Sequence, residues 1–365
     1  MYQIPLPPEY AALSDVETDA RITAARQALG SRLVILGHHY QRDEIIVHAD
    51  FRGDSYKLAK DASARPEAEY IVFCGVHFMA ESADILTPDH QKVILPNLAA
   101  GCSMADMANL FQVRGAWRQI HDTLGEDASV VPVTYINSAA NLKAFVGEHD
   151  GTVCTSTNAP AAVSWALSQG HRVMFFPDQH LGRNTGVKLG FDPETEMVVW
   201  DPFKPLGGNT PEALQAARFI LWKGHCSVHA RFTVEQIAAA RAADPEVRVV
   251  VHPECELEVV QAADEAGSTE YILKTITNSP PGSKWAVGTE INLVNRLAKE
   301  QPDKTITCLD PLVCPCSTMY RIHPSFLLWS LEELVAGREM NVVRVPDKVR
   351  DAALVSLQRM LTVGG

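Results

Sequence analysis

Several things are missing from this chain. No uninterrupted apolar run approaches the ~20 residues a membrane helix needs, so no spanning segment is expected. Positive charge is in short supply: 32 Lys and Arg stand against 44 Asp and Glu, a net charge of −12. That balance argues against nucleic acid or an anionic membrane as a partner. An anionic ligand would have to be held by local donors. The first ten residues contain three prolines, one acid and no basic residue, unlike a signal peptide. A cytoplasmic location is expected. There, the eight cysteines read as ligands, catalysts or buried small apolar residues, not disulfides. The glycine-rich runs Gly182–Gly186 and Gly207-Gly208-Asn209 fit neither the phosphate-loop nor the dinucleotide fingerprint. Both are expected to be loops, one of them a candidate lid.

What remains is ordinary in bulk: 365 residues, 46% hydrophobic and 21% charged, enough for two or three soluble domains. The informative feature is the cysteines. Three of the eight precede serine: Cys102-Ser103, Cys226-Ser227 and Cys316-Ser317. Each closes a unit of similar design. A short apolar strand ends in a polar motif, then a hydroxyl residue opens a helix, then further strands and helices follow, then Cys-Ser. The strand-end motifs are His38-His39-Tyr40, Tyr135-Ile136-Asn137 and His252-Pro253-Glu254. The helix-opening hydroxyls are Ser55, Ser156 and Thr269. His38 lies 64 residues before Cys102, and His252 lies 64 before Cys316. The second interval, Tyr135 to Cys226, is 91, an excess that the Pro/Gly-rich stretch 178–211 accounts for.

Strands alternating with helices imply parallel sheets, with ligands beyond the strands' carboxyl ends. The expected fold is therefore α/β: three similar αβα domains with short parallel sheets around a pseudo-threefold axis, enclosing a central active-site cavity. The expected domains are residues 1–110 with 320–365, then 111–208, then 209–319. The tail from Pro324 is expected to pack on the first. One large doubly wound sheet is the alternative.

Three thiolates without an obvious fourth ligand suit a [4Fe–4S] cluster with one open iron, or a catalytic zinc with an open position. The ligands are 124 and 90 residues apart. Zinc usually draws two ligands from a close pair, so the spread and the all-thiolate set favour iron–sulfur. Cys74 and Cys308 read as core thiols, and Cys154 and Cys255 flank polar motifs. Cys314 competes with Cys316 as third ligand. Helix-opening hydroxyls cap helices in most proteins, but three facing one cavity suit a multiply anionic substrate. In each strand-end motif the i, i+2 spacing of an extended chain points both side chains one way. Glu254, the one carboxylate among them, is the candidate general acid/base, with His252 beside it and Tyr40 as a second proton-handling group.

On Gly37-His38-His39-Tyr40-Gln41, Gly53-Asp54-Ser55, Tyr135-Ile136-Asn137-Ser138, Cys154–Ala159, Gly224-His225-Cys226, His252–Cys255, Gly267-Ser268-Thr269 and Gly288-Thr289-Glu290, the chain resembles the quinolinate synthase A family from about residue 30 onward. The resemblance implies a central [4Fe–4S] cluster on Cys102, Cys226 and Cys316. It also implies condensation of iminosuccinate with dihydroxyacetone phosphate to quinolinate, with loss of water and phosphate, in NAD biosynthesis. The enzyme supplying iminosuccinate is then an expected functional partner. His38, Ser55, Tyr135, Asn137, Ser156, His252, Glu254 and Thr269 would bind substrate, and Tyr40 would move protons. Another iron–sulfur hydro-lyase, or a non-catalytic iron–sulfur sensor, are the alternatives.

Overall fold

The computed structural model describes residues 3–62, 65–125, 128–312 and 315–363. It contains three sheets, each built on the same four parallel strands. In the first, Leu33–His38 pairs with Phe51–Gly53 on one side and Tyr70–Cys74 on the other, followed by Lys92–Ile94. In the second, Val130–Tyr135 lies between Thr152–Cys154 and Arg172–Phe176, followed by Phe219–Trp222. In the third, Arg248–Val251 lies between Glu265–Ala266 and Lys284–Gly288, followed by Thr305–Cys308. In every sheet the first strand of the unit is central, between the second and the third, and the fourth follows the third. The expected α/β architecture with short parallel sheets is what the chain adopts.

Two sheets carry an extra edge strand. Val342–Val343 adds antiparallel to the first, and Met197–Trp200 adds parallel to the second. The latter lies in the 178–211 excess. That excess is structured, not open: its Gly182–Gly186 run lies within the helix Gln179–Lys188, capped by Asp178, so the loop expected there is not found. The glycines serve packing. A Cβ at Gly182 would come within 2.7 Å of Leu221, and one at Gly186 within 2.5 Å of Met197. Small residues let this helix lie close against the sheet. Gly207 does occupy a turn, at φ +65°, pressed on the buried Trp200 ring.

The repetition extends to single hydrogen bonds. Asp50 Oδ2 accepts the Ile35 amide at 2.7 Å, and Asp264 Oδ2 accepts the Val249 amide at 2.6 Å. Ile35 and Val249 each stand three residues before the strand-end histidine. In the second sheet that place is taken by Pro132, which has no N–H to satisfy, and Gly151 packs directly on its carbonyl.

The chain divides into two compact units. The first comprises residues 1–102, 290–296 and 314–346, with the first sheet. The second comprises 103–289, 297–313 and 347–365, with the other two. The tail from Pro324 does not stay together. The helix Pro324–Val335 packs on Asp15–Leu29 in the first unit. The helix Asp347–Val363 instead packs on Ala140–Glu148 and the strand Thr152–Cys154 in the second. Gly147 permits that contact, since a Cβ there would sit 2.0 Å from the Ala352 carbonyl.

Candidate active site

Each Cys-Ser pair leads, by the same number of residues, into a capped helix. Seven residues after Cys102, Cys226 and Cys316 stand the caps Asn109, Thr233 and His323. Their side chains accept amides of the first helical turn at 3.0, 3.3 and 3.2 Å. Between cysteine and cap, the Cys226 carbonyl accepts the Ala230 amide at 3.0 Å and the Cys316 carbonyl the Tyr320 amide at 2.9 Å, each entering a 3-10 turn. All three sulfurs belong to half-buried residues, and none of the seven described cysteines is in a disulfide. Cys74, Cys154 and Cys255 are fully enclosed, and burial raises their thiol pKa values, for Cys74 to about 12. A group held that firmly as a thiol is a poor ligand. Cys308, expected in the core, is instead half-buried on an edge strand. Cys314 lies outside the described residues.

The helix-opening hydroxyls are not the caps. Asp54 accepts the Lys57 amide at 2.9 Å and Ser268 the Tyr271 amide at 3.3 Å. Ser55 and Thr269 thus occupy the first helical position, where the orphan N–H groups of the turn gather. Ser156 is half-buried in the turn before the helix Ala159–Gln169, and Asn158 accepts the Thr155 amide there at 2.7 Å. A neighbour organises the turn in each case. That arrangement suits hydroxyls presented to an anion.

The strand-end motifs also differ from expectation in one respect. Beyond the strand the backbone turns instead of staying extended. The side chains still meet, for a local reason. The Tyr40 amide donates to His38 Nδ1 at 3.1 Å, and the Glu254 amide to His252 Nδ1 at 3.3 Å. This brings the His38 and Tyr40 rings edge to face at 4.7 Å, and places His252 Nδ1 3.8 Å from Glu254. Asn137 Oδ1 is buried and makes no hydrogen bond among the described residues.

In the second unit these motifs converge. Glu254, 3% exposed, accepts the Tyr135 hydroxyl at 2.6 Å on one oxygen and His229 Nδ1 at 2.8 Å on the other. His229 Nε2 lies 3.1 Å from the Thr289 hydroxyl, and the ring stacks on His252 at 4.3 Å. Burial opposes ionisation of Glu254. The neighbouring His252 and His229, with the hydrogen bonds from His229 and Tyr135, outweigh it and lower the pKa. Burial, with His229 beside it, drops His252 to about 3. The result is a buried carboxylate kept in its ionised form, with a proton-accepting oxygen beside an uncharged imidazole.

Three residues were not foreseen. His229 lies three residues past Cys226, where the other units carry Ala105 and Met319. Asp178 is fully buried beside Glu254. Burial, then the Glu254 charge, raises its pKa well above the carboxylate range, against the N–H groups of Leu181, His180 and Cys226. Glu290, in the first unit, is equally buried, and burial raises its pKa to about 7. A histidine after Cys-Ser was the one sequence signal available. Asp178 leaves none, and Glu290 shows only as the end of Gly288-Thr289-Glu290.

Two kinds of metal site can be weighed against these residues. Cys226 Sγ, a His229 nitrogen and a Glu254 oxygen all lie within 4.8 Å of one another, a donor set for a single zinc-like ion. Yet both non-sulfur members are already engaged, with Tyr135, Thr289 and each other. The threefold cysteine turn, with half-buried thiols in matched positions, fits an iron–sulfur cluster.

The family model for the quinolinate synthetase A protein matches residues 20–362. The quinolinate synthase of Corynebacterium glutamicum is 59% identical over 98% of this chain and 90% of its own length. Those of Herpetosiphon aurantiacus and Streptomyces coelicolor are 55% and 54% identical, again over 98% of this chain, covering 95% and 91% of theirs. With a match over nearly its whole length, the chain belongs to the quinolinate synthetase A protein family and is an enzyme of that type.

Proposed function

We propose that the chain condenses iminosuccinate with dihydroxyacetone phosphate to quinolinate, losing water and phosphate, in NAD biosynthesis in the cytoplasm. The observation that carries this reading furthest is the cysteine turn used three times at one offset from a helix cap. Cys102, Cys226 and Cys316 are its ligands for a [4Fe–4S] cluster, one per repeat. When bound, the cluster supplies an open, Lewis-acidic iron that polarises a substrate hydroxyl.

The chain's own residues do the rest. Two carboxylates and a phosphate need local donors on a chain of net charge −12. Ser55, Ser156 and Thr269, at or beside helix N-termini, supply hydroxyls and N–H groups for them. His38, Tyr135, Asn137 and His252 orient the carbon skeleton. Glu254 takes the proton released as the new bond forms, and Tyr135 and His229 hold its carboxylate aligned. Tyr40, against His38, serves a second proton transfer.

The test is an anaerobic preparation assayed for quinolinate from the two substrates, before and after iron is stripped. Activity that vanishes with iron and returns on reconstitution supports the reading. Full activity without iron ends it. Turnover of other hydroxy-dicarboxylates instead would favour a different hydro-lyase. Stoichiometric zinc without sulfide would favour the single-ion site at Cys226, His229 and Glu254.

A further inference from the structure

Glu290 is wholly buried and ends the Gly288-Thr289-Glu290 motif, yet no role in the reaction has been assigned to it. Its Oε1 accepts the backbone amide of Cys316 at 3.1 Å and Asn292 Nδ2 at 2.9 Å. Its Oε2 accepts the Asn292 amide at 2.8 Å. Asn292 Nδ2 also donates to the Tyr40 carbonyl at 3.2 Å. One turn on, Arg296 donates to the His39 carbonyl at 2.9 Å, to the Gln41 carbonyl, and to Asp43 at 2.9 Å. Gln41 closes the circuit, donating to the Met319 carbonyl at 3.0 Å, three residues past Cys316.

Three successive carbonyls, of residues 39, 40 and 41, are thus taken by two side chains of one helix. The same helix start holds the amide of Cys316. A buried carboxyl oxygen with a backbone N–H and a side-chain amide both directed at it fixes the two donors relative to one another.

We propose that Glu290 is a positioning residue: it locks the Cys316 turn to the His38–Gln41 turn through Asn292, so that ligand sulfur and proton-handling tyrosine keep one register. The inference rests on the cluster reading for its purpose, but its geometry can be tested without a cluster.

The experiment uses the full chain labelled with [15N]cysteine, which has only eight cysteines to resolve, and cysteine-to-serine variants to assign signals. In cluster-free protein, Glu290→Ala is expected to speed amide exchange at Cys316 by about tenfold or more, leaving Cys74 and Cys226 unchanged. Glu290→Gln, which keeps an acceptor oxygen, is expected to restore most of the protection. Asn292→Ala removes the side-chain bonds to Glu290 Oε1 and the Tyr40 carbonyl but leaves the Glu290 carboxylate on the Cys316 amide, so it should largely spare that amide while lowering turnover. Unchanged exchange at Cys316 in a folded Glu290→Ala overturns the proposal. If that variant does not fold, unprotected Cys316 in wild type, or loss of its protection in Asn292→Ala, does the same. A second readout is iron retention after anaerobic reconstitution. Wild type should hold about four irons, and Glu290→Ala should lose them severalfold faster to a chelator, with Gln intermediate. Equal loss rates would also overturn the proposal. Wild type that takes up no iron would refute the cluster reading while the exchange data still judged the clamp.

Discussion

Replacing Glu254 with Gln separates its structural from its chemical role. The substitution keeps the side-chain volume and one acceptor oxygen, so either the Tyr135 hydroxyl or His229 retains its partner. Hydrogen bonds to a charged group are worth ~1.5–3 kcal/mol and neutral ones ~1, so two weakened bonds cost about 1–4 kcal/mol. Against this, a carboxylate 3% exposed no longer has to be ionised out of water, a relief of the same order. Stability should therefore move by only about 1 kcal/mol. Turnover should not be spared. A positioned proton acceptor contributes ~10²–10⁴-fold, and Gln cannot take a proton. The assay pairs urea unfolding with quinolinate formation at saturating substrates, both on protein checked for equal iron content. Turnover within about fivefold of wild type would refute the role given to Glu254. A large loss of stability would instead mean that the carboxylate is chiefly a structural post.

Three further outcomes follow from the geometry. Gly224→Ala puts a Cβ 2.2 Å from the Pro177 carbonyl, and backbone cannot yield as a side chain does. We expect ~1–3 kcal/mol of destabilisation or more, with loss of iron from the adjacent Cys226 turn, read by melting and metal analysis. Asp50→Ala and Asp264→Ala each orphan a buried strand amide. Both should cost ~1–3 kcal/mol, and near-equal values in urea titrations would show that the repeats are energetically alike. The third outcome concerns pH. Burial, then the hydrogen bond to Glu332, raises Tyr10 to about 12. The stabilisation is thus complete below its unfolded pKa of ~10 and is lost as pH rises through the folded value. Between those limits wild type should lose stability relative to Tyr10→Phe; parallel curves would refute this. Glu332 behaves oppositely. Burial opposes its ionisation, but Arg21 and Tyr10 lower its pKa, so its contribution persists above ~4.3 and fades as pH falls below that.

Much of the fold was legible because the repeat is carried by residue types that strands, turns and ligands each demand. Cys-Ser pairs, strand-end histidines and helix-opening hydroxyls recur at intervals that a parallel four-stranded unit needs. What escaped notice depends on contacts distant in sequence. The Gly182–Gly186 run looked like a loop, since glycine weakens helices, but close packing on Leu221 and Met197 decides the matter. Ser55 and Thr269 do open their helices, but the capping role common for such hydroxyls goes to Asp54 and Ser268. His229 stands outside the repeat, which made it invisible to a search for repetition. Asp178 stands in no motif, and Glu290, although it ends Gly288-Thr289-Glu290, owes its importance to a burial that the motif does not announce. The last helix leaves the first unit because Gly147 opens a seat for it on the second.

The central claim is that three matched cysteine turns together hold one iron–sulfur cluster. It is tested most directly by iron, sulfide and electron-paramagnetic-resonance measurements on single cysteine-to-serine variants reconstituted without oxygen. Substitution at Cys102, Cys226 or Cys316 is expected to abolish the cluster signal, and substitution at Cys308 or Cys314 to leave it intact. A full cluster in Cys226→Ser, or its loss in Cys314→Ser with retention in Cys316→Ser, would contradict the account.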